Sequence, residues 1–168
     1  MTTYYGKYRG TVLNNIDPLN MGRIQAQVPA VTGLLPTTWV SPCVPVAGTQ
    51  AGAYVVPALA SGVWIEFEAG DLRHPIWVGG FWGSAADVPA LALAGVPGSP
   101  SLVLQTLGQN CLAISDLPGP AGGLLLKGRT GAFISISEAG IIISNGQGAM
   151  ITMTGPVVTV NNGALVVT

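Results

Sequence analysis

Charge is what this sequence has least of. Lys, Arg, Asp and Glu make up 8% of its 168 residues, against roughly a quarter in ordinary soluble domains. No charged residue follows Glu138. Hydrophobic residues reach 49%, which excludes disorder, because a disordered chain needs the opposite balance. So few charges argue against an isolated monomer and point to an oligomer that buries much of each chain against its copies. The six basic residues are Lys7, Arg9, Arg23, Arg73, Lys127 and Arg129, and the net charge is −1. Nucleic acid is therefore not an expected partner, since neutralising phosphate supplies most of that affinity.

Groups that carry chemistry are equally scarce. His74 is the only histidine, and Cys43 and Cys111 have no metal-ligand spacing; two reduced, buried thiols are expected. No Gly-x-Ser-x-Gly, phosphate loop or zinc spacing occurs, so no catalytic residue, cofactor or metal is assigned. Glu66 and Glu68 stand two apart on a predicted strand and share one face, which reads as a solvated surface rather than a carboxylate pair flanking a cleft. The N-terminus, MTTYYGKYRG, has no apolar signal-peptide core. The uncharged run Val88–Ser115 is broken by Pro89, Pro97 and Pro100 and does not read as a membrane helix.

What is present is β-structure. Apolar residues recur at period two or in short runs bounded by Gly, Pro and Asn. Residues 1–84 hold most of the charges and all four tryptophans, Trp39, Trp64, Trp77 and Trp82. Five segments there read as strands: YRGTVLN, GRIQAQVPA, TTWVSPCVP, GVWIEFEA and PIWVGGFWG. Five short strands in so little chain suit a small closed barrel of the OB type. Trp64, Phe67, Trp77 and Phe81 have few cations around them, so packing explains them better than base stacking. Residues 85–100, AADVPALALAGVPGSP, form an apolar connector, expected to lie extended on something.

Residues 101–168 form the second domain, and from Gly123 the chain repeats. Glycines at 123, 131, 140, 148, 155 and 163 are separated by eight, nine, eight, seven and eight residues. The third position after each is aliphatic: Leu126, Ile134, Ile143, Ile151, Val158 and Val166. Such a period, with glycine at each turn, predicts a β-helical array. Each unit is one strand of about five residues, too short to coil a rung alone and with nothing to cover its aliphatic row. The expectation is an all-β chain: an OB barrel followed by an intertwined trimeric β-helix, strand edges pairing with neighbouring chains and the six aliphatics forming the axial core. The second position (Leu125, Phe133, Ile142, Met150, Val157, Leu165) is apolar too, which a single inward row does not explain.

The ordered set Asp17-Pro18, Gly22-Arg23, Val28-Pro29, Trp39, Pro42, Gly70-Asp71, Pro75 and Gly79 resembles the OB-fold domain of phage baseplate assembly protein V. The cell-puncturing spikes of contractile tails and the valine-glycine-repeat spikes of type VI secretion share that domain. The octads resemble the same family's trimeric β-helix. The resemblance implies a homotrimeric, non-enzymatic spike at the centre of a contractile injection machine, a phage tail, tailocin or extracellular injection system. Its barrels would dock on a trimeric baseplate hub, with Arg23 and Asp71 candidates for that interface. Its tip would carry a PAAR-type protein and touch the target membrane transiently. Such a protein would be assembled in the cytoplasm and then join a virion or extracellular particle. The chain departs from some relatives in having no lysozyme-like insertion and no His-x-His pair near its end. Two other readings stay open on the residues: an envelope polysaccharide hydrolase on a β-helical stalk, and a nucleic-acid-binding OB module.

Overall fold

The computed structural model describes residues 2–96 and 101–167. The chain divides into two units, Met1–Asp87 and Val88–Thr168.

The first unit is built on β1 (Tyr8–Asn14), β2 (Gln25–Gln27), β3 (Ser41–Pro42), β6 (Gly62–Phe67) and β7 (Pro75–Phe81), with a small β4 (Ala47–Gly48) and β5 (Ala51–Gly52) hairpin between. The sheet order is β2-β1-β6-β7-β3. All its pairs are antiparallel except β3 with β7, which run parallel. Isolated bridges Ile24–Val40 and Gln27–Pro36 join the segment before β3 back to β2. The pairings thus run in a circuit, consistent with the expected OB barrel. Alternation makes its core: in β6, Val63, Ile65 and Phe67 are buried while Gly62, Trp64 and Glu66 are half-buried. Val12, Ile24, Ala26, Val28, Val40 and Trp77 complete the interior. The indole N–H of Trp77 donates to the Gly22 carbonyl at 3.2 Å, so the largest core side chain leaves no polar atom unpaired.

Sequence and structure differ locally. Only three residues of GRIQAQVPA form a strand, because Pro29 opens a four-residue helix, α1 (Pro29–Thr32). β6 ends at Phe67, so Glu68 lies in a 3-10 turn beyond the strand, and Glu66 accepts a hydrogen bond from Lys7. The connector is not extended: it makes a 3-10 turn at Ala85–Asp87 and a helix, α2 (Ala90–Leu93). Residues 97–100 lie outside those described. Cys43 is exposed and only Cys111 is buried, so the expectation of two buried thiols holds for one.

The second unit is one antiparallel meander of eight strands in sequence order. They are β8 (Ser101–Gln105), β9 (Cys111–Ser115), β10 (Gly123–Lys127), β11 (Phe133–Ser137), β12 (Gly140–Ser144), β13 (Met150–Thr154), β14 (Val157–Val160) and β15 (Leu165–Val167). At about 4.8 Å per strand, the ladder is about 34 Å tall. All six octad glycines have positive φ, from 55° at Gly155 to 130° at Gly140, a region glycine enters freely. Each ribbon pairs with the next one of its own chain. The expectation that edges would pair with sister chains is therefore corrected: the interior strands of the meander have both edges occupied already.

Candidate functional site

Antiparallel register decides which side chains share a face. Leu104, Leu112, Leu126, Ile134, Ile143, Ile151, Val160 and Leu165 stand opposite one another in succession, one from every strand. Two residues along each strand, on the same face, runs a second row: Leu102, Ile114, Leu124, Ile136, Ile141, Met153 and Val158. Every one of these residues is aliphatic or methionine. The opposite face carries Val103, Ala113, Leu125, Ser135, Ile142, Thr152 and Thr159 in its middle row, a mixture of apolar and hydroxyl groups.

The two faces are covered differently. α2 lies over the mixed face, where Leu91, Ala94, Val103, Ala113, Leu117 and Leu125 line a cavity of about 310 Å³. The aliphatic face is bare. Leu104 is 61% exposed, Leu126 51% and Ile134 40%, and Leu104, Leu112, Leu126, Ile134 and Ile143 border a shallow depression there. An apolar surface so regular and so open needs a cover.

Of the six aliphatics singled out from the repeat, the register brings four together: Leu126, Ile134, Ile143 and Ile151 form one cross-strand line. Val158 is on the same face but in the second row, opposite Met153. Position 166 pairs with Thr159 and belongs to the row of the other face; the Val166 side chain lies outside the described residues. The cause is turn length. Ser137 pairs with Gly140, so that glycine belongs to the ladder, whereas Thr154 pairs with Val157 and Gly155 sits in the turn itself. Counting three from Gly155 then lands two positions short of Val160, while counting three from Gly163 runs one past Leu165, which pairs with Val160. Sequence reasoning also missed the whole second row, and it placed residues 101–122 in the second domain without resolving the strands β8 and β9 there. The signal was present as aliphatics two apart, Leu124 with Leu126, Ile134 with Ile136, Ile141 with Ile143. Leu125 and Ile142, the unexplained second positions, line the mixed face.

In the barrel, Arg23 and Asp71 each meet a near neighbour. Arg23 donates to Asp17 through Nε and Nη2, the latter at 2.6 Å, and its guanidinium lies 5.3 Å from the centre of the Trp39 ring. Asp17 is buried, and its oxygens also accept the backbone N–H groups of Leu19, Met21 and Arg23. The Arg23 hydrogen bond, helped by those amides and opposed by burial, holds the Asp17 carboxyl well below the usual carboxylate range. The loop so pinned displays Ile16, Leu19 and Met21, all exposed. Asp71 is held low by Arg73 in an exposed turn, with His74 Nδ1 3.5 Å away. Arg9 stacks at 4.9 Å on Trp64 and 4.5 Å on Phe81, on the outer surface of the β1-β6-β7 sheet.

Among the described residues no cluster of metal-ligating side chains occurs, and no helix is long and apolar enough to cross a membrane. Compared with families of known proteins, residues 8–82 match the type VI secretion system/phage-baseplate injector OB domain. Residues 101–166 match the phage baseplate V C-terminal trimerisation domain. No curated protein sequence matches the chain.

Proposed function

The chain belongs to the phage-baseplate and type VI secretion spike family, and from that premise we propose that it is the central spike of a contractile injection machine. Membership makes it a structural component of a phage or phage-like injection particle, with a C-terminal trimerisation domain. The finer reading is mechanical. Three copies set their meanders around one axis, aliphatic faces inward, and form a β-helical needle of triangular section. The sheets stand side by side at its corners, their strands not interleaved.

One observation carries this reading: two aliphatic rows run the height of the sheet on a face that the chain itself leaves open. Taking a Leu or Ile side chain fully out of water is worth about 1.5–3 kcal/mol. A stack of such residues in each of three copies is a strong drive to close. The mixed face, partly covered by α2, then becomes the outside of the needle, and from Ala139 onward it carries no charge. A rod with so little charge to desolvate crosses lipid at low cost.

The barrels dock on a trimeric hub, through a surface that includes the exposed Asp71–Arg73 turn. Arg23 serves that surface indirectly, by fixing the loop that presents Ile16, Leu19 and Met21. A PAAR-type protein caps the C-terminal end, and contraction drives the needle into the target membrane. The chain is read as non-enzymatic: Glu66 is engaged by Lys7, and Glu68 lies in a 3-10 turn beyond the strand instead of beside Glu66 on it. Sedimentation equilibrium tests the proposal. A mass of three chains is expected, and a monomer at every concentration overturns it.

A further inference from the structure

The second unit contains four charged residues, and they lie at opposite ends of its strands. Lys127 closes β10 and Arg129 occupies the turn to β11. Asp116 follows β9 and Glu138 follows β11. Because Lys127 pairs with Phe133 while Ser137, at the far end of β11, pairs with Gly140 across the Glu138 turn, one lateral edge of the sheet is basic and the other acidic. All four side chains are exposed. Among the described residues, the ion pairs of the chain all lie in the first unit. A five-residue strand spans about 16 Å, which keeps the two edges of one sheet from meeting.

The two edges match in height. Arg129 lies level with the gap between β10 and β11, and Lys127 on β10 itself. Asp116 lies between β9 and β10, and Glu138 between β11 and β12, so the mean level of the acids is that of Arg129. The turns are also held in shape: Glu138 accepts the Gly119 N–H at 2.7 Å, and the Arg129 N–H donates to Asn110 Oδ1 at 3.0 Å.

We propose that in the trimer the basic edge of each sheet meets the acidic edge of the next, Lys127 and Arg129 facing Asp116 and Glu138 of the sister copy at all three corners. This rests on the arrangement of three sheets around an axis given above. A closed ring of identical copies joins head to tail, so each corner brings one edge of each kind together. The charges supply what the aliphatic rows lack. Those rows are nearly uniform from β8 to β15, so a copy displaced along the axis by a pair of strands, about 10 Å, still meets Leu, Ile and Val. Such a shift loses burial only at the two ends of the stack; along its body the charged level is what marks the correct height. In a segment otherwise without charge, it acts as the axial register mark of the assembly.

The test uses the full chain with three variants. One is K127E with R129E, making both edges acidic; one is D116K with E138K, making both basic; the third carries all four changes. Mixing the two double variants is not a sufficient rescue, because a ring of three cannot alternate two kinds. Sedimentation in low salt is expected to show each double variant trimerising at least about tenfold more weakly than wild type, with most of the loss recovered near 1 M NaCl, where the screening length is about 3 Å. The fourfold variant restores complementary corners and is expected to return to within about threefold of wild type. Double variants as tight as wild type in low salt overturn the proposal, and so does a fourfold variant no better than the doubles. A wild-type chain that is not trimeric overturns instead the needle reading beneath it.

Discussion

The Arg23 guanidinium sits against the buried carboxylate of Asp17, with Nη2 2.6 Å from Oδ1 and Nε 3.1 Å from both oxygens. The two stand six positions apart in the chain, and the carboxylate takes three backbone amides of the same loop as well. A charged group so fully partnered is an organiser: removing it leaves the amides and the guanidinium unpaired together. Asp17→Asn is therefore expected to open the 15–22 loop to proteolysis and to lower the unfolding midpoint of the barrel. Asp71→Asn, whose pair with Arg73 is solvent-exposed, is expected to leave both unchanged. Limited proteolysis with mapped cleavage sites checks the contrast. Equal behaviour of the two variants would remove the organising role of Asp17.

The same carboxylate predicts an acid limb. Asp17 titrates near 3.8 when unfolded and lower when folded. The folded chain therefore binds fewer protons in that interval, and its stability falls as pH falls. The contribution is complete above the unfolded value and is lost progressively as pH drops through the folded one. Denaturant midpoints are expected to be flat from pH 7 to about pH 5 and to decline below about pH 4. Asp17→Asn should flatten that decline. An undiminished acid limb in the variant assigns it to other carboxylates.

Ile143 and Thr152 give the cleanest probe of the two faces, since they lie on neighbouring strands and point to opposite sides. Ile143→Lys places three ammonium groups in the proposed apolar interior, with no partner within reach. Trimer formation is expected to weaken by about a thousandfold or more, since unpaired buried charge costs several kcal/mol. Thr152→Lys adds its charge to the outward face and is expected to leave the mass unchanged. If the threonine variant dissociates and the isoleucine variant does not, the sheet faces the other way.

Legibility in the sequence followed the strength of the local rule. YRGTVLN became β1 residue for residue, and PIWVGGFWG contains β7, because alternation and flanking glycines agree there. TTWVSPCVP reads as a longer strand than it forms: it makes only the isolated Ile24–Val40 bridge and two strand residues, since tertiary pairing, not propensity, decides so short an edge. The octad glycines marked every turn they occupy. They did not mark whether the glycine stands inside the ladder, as Gly140 does, or in the turn, as Gly155 does. That is why Val158 falls out of the line with Ile134; Val166 falls out because Leu165, two residues after Gly163, already pairs with Val160 and holds the line. Arg23 and Asp71 were visible as charges, but their nearest partners, Asp17 and Arg73, depend on loop geometry that composition does not encode.

Gly140 and Gly148 separate two reasons for a glycine. Both have positive φ, 130° and 102°, a region costly for any side chain, so alanine at either is expected to lose about 1–3 kcal/mol. Their surroundings differ. A Cβ at Gly148 meets nothing within 4 Å, whereas one at Gly140 would lie 2.1 Å from the Met153 carbonyl oxygen on the adjacent strand. That oxygen belongs to backbone in the ladder and cannot swing aside, so β12 and β13 must part. Gly140→Ala should therefore cost clearly more than Gly148→Ala in guanidinium unfolding, and should also loosen amide protection in β13. Equal losses at the two sites would mean that the backbone angle alone fixed the glycine, and that the close approach between β12 and β13 contributes nothing to the stiffness of the sheet.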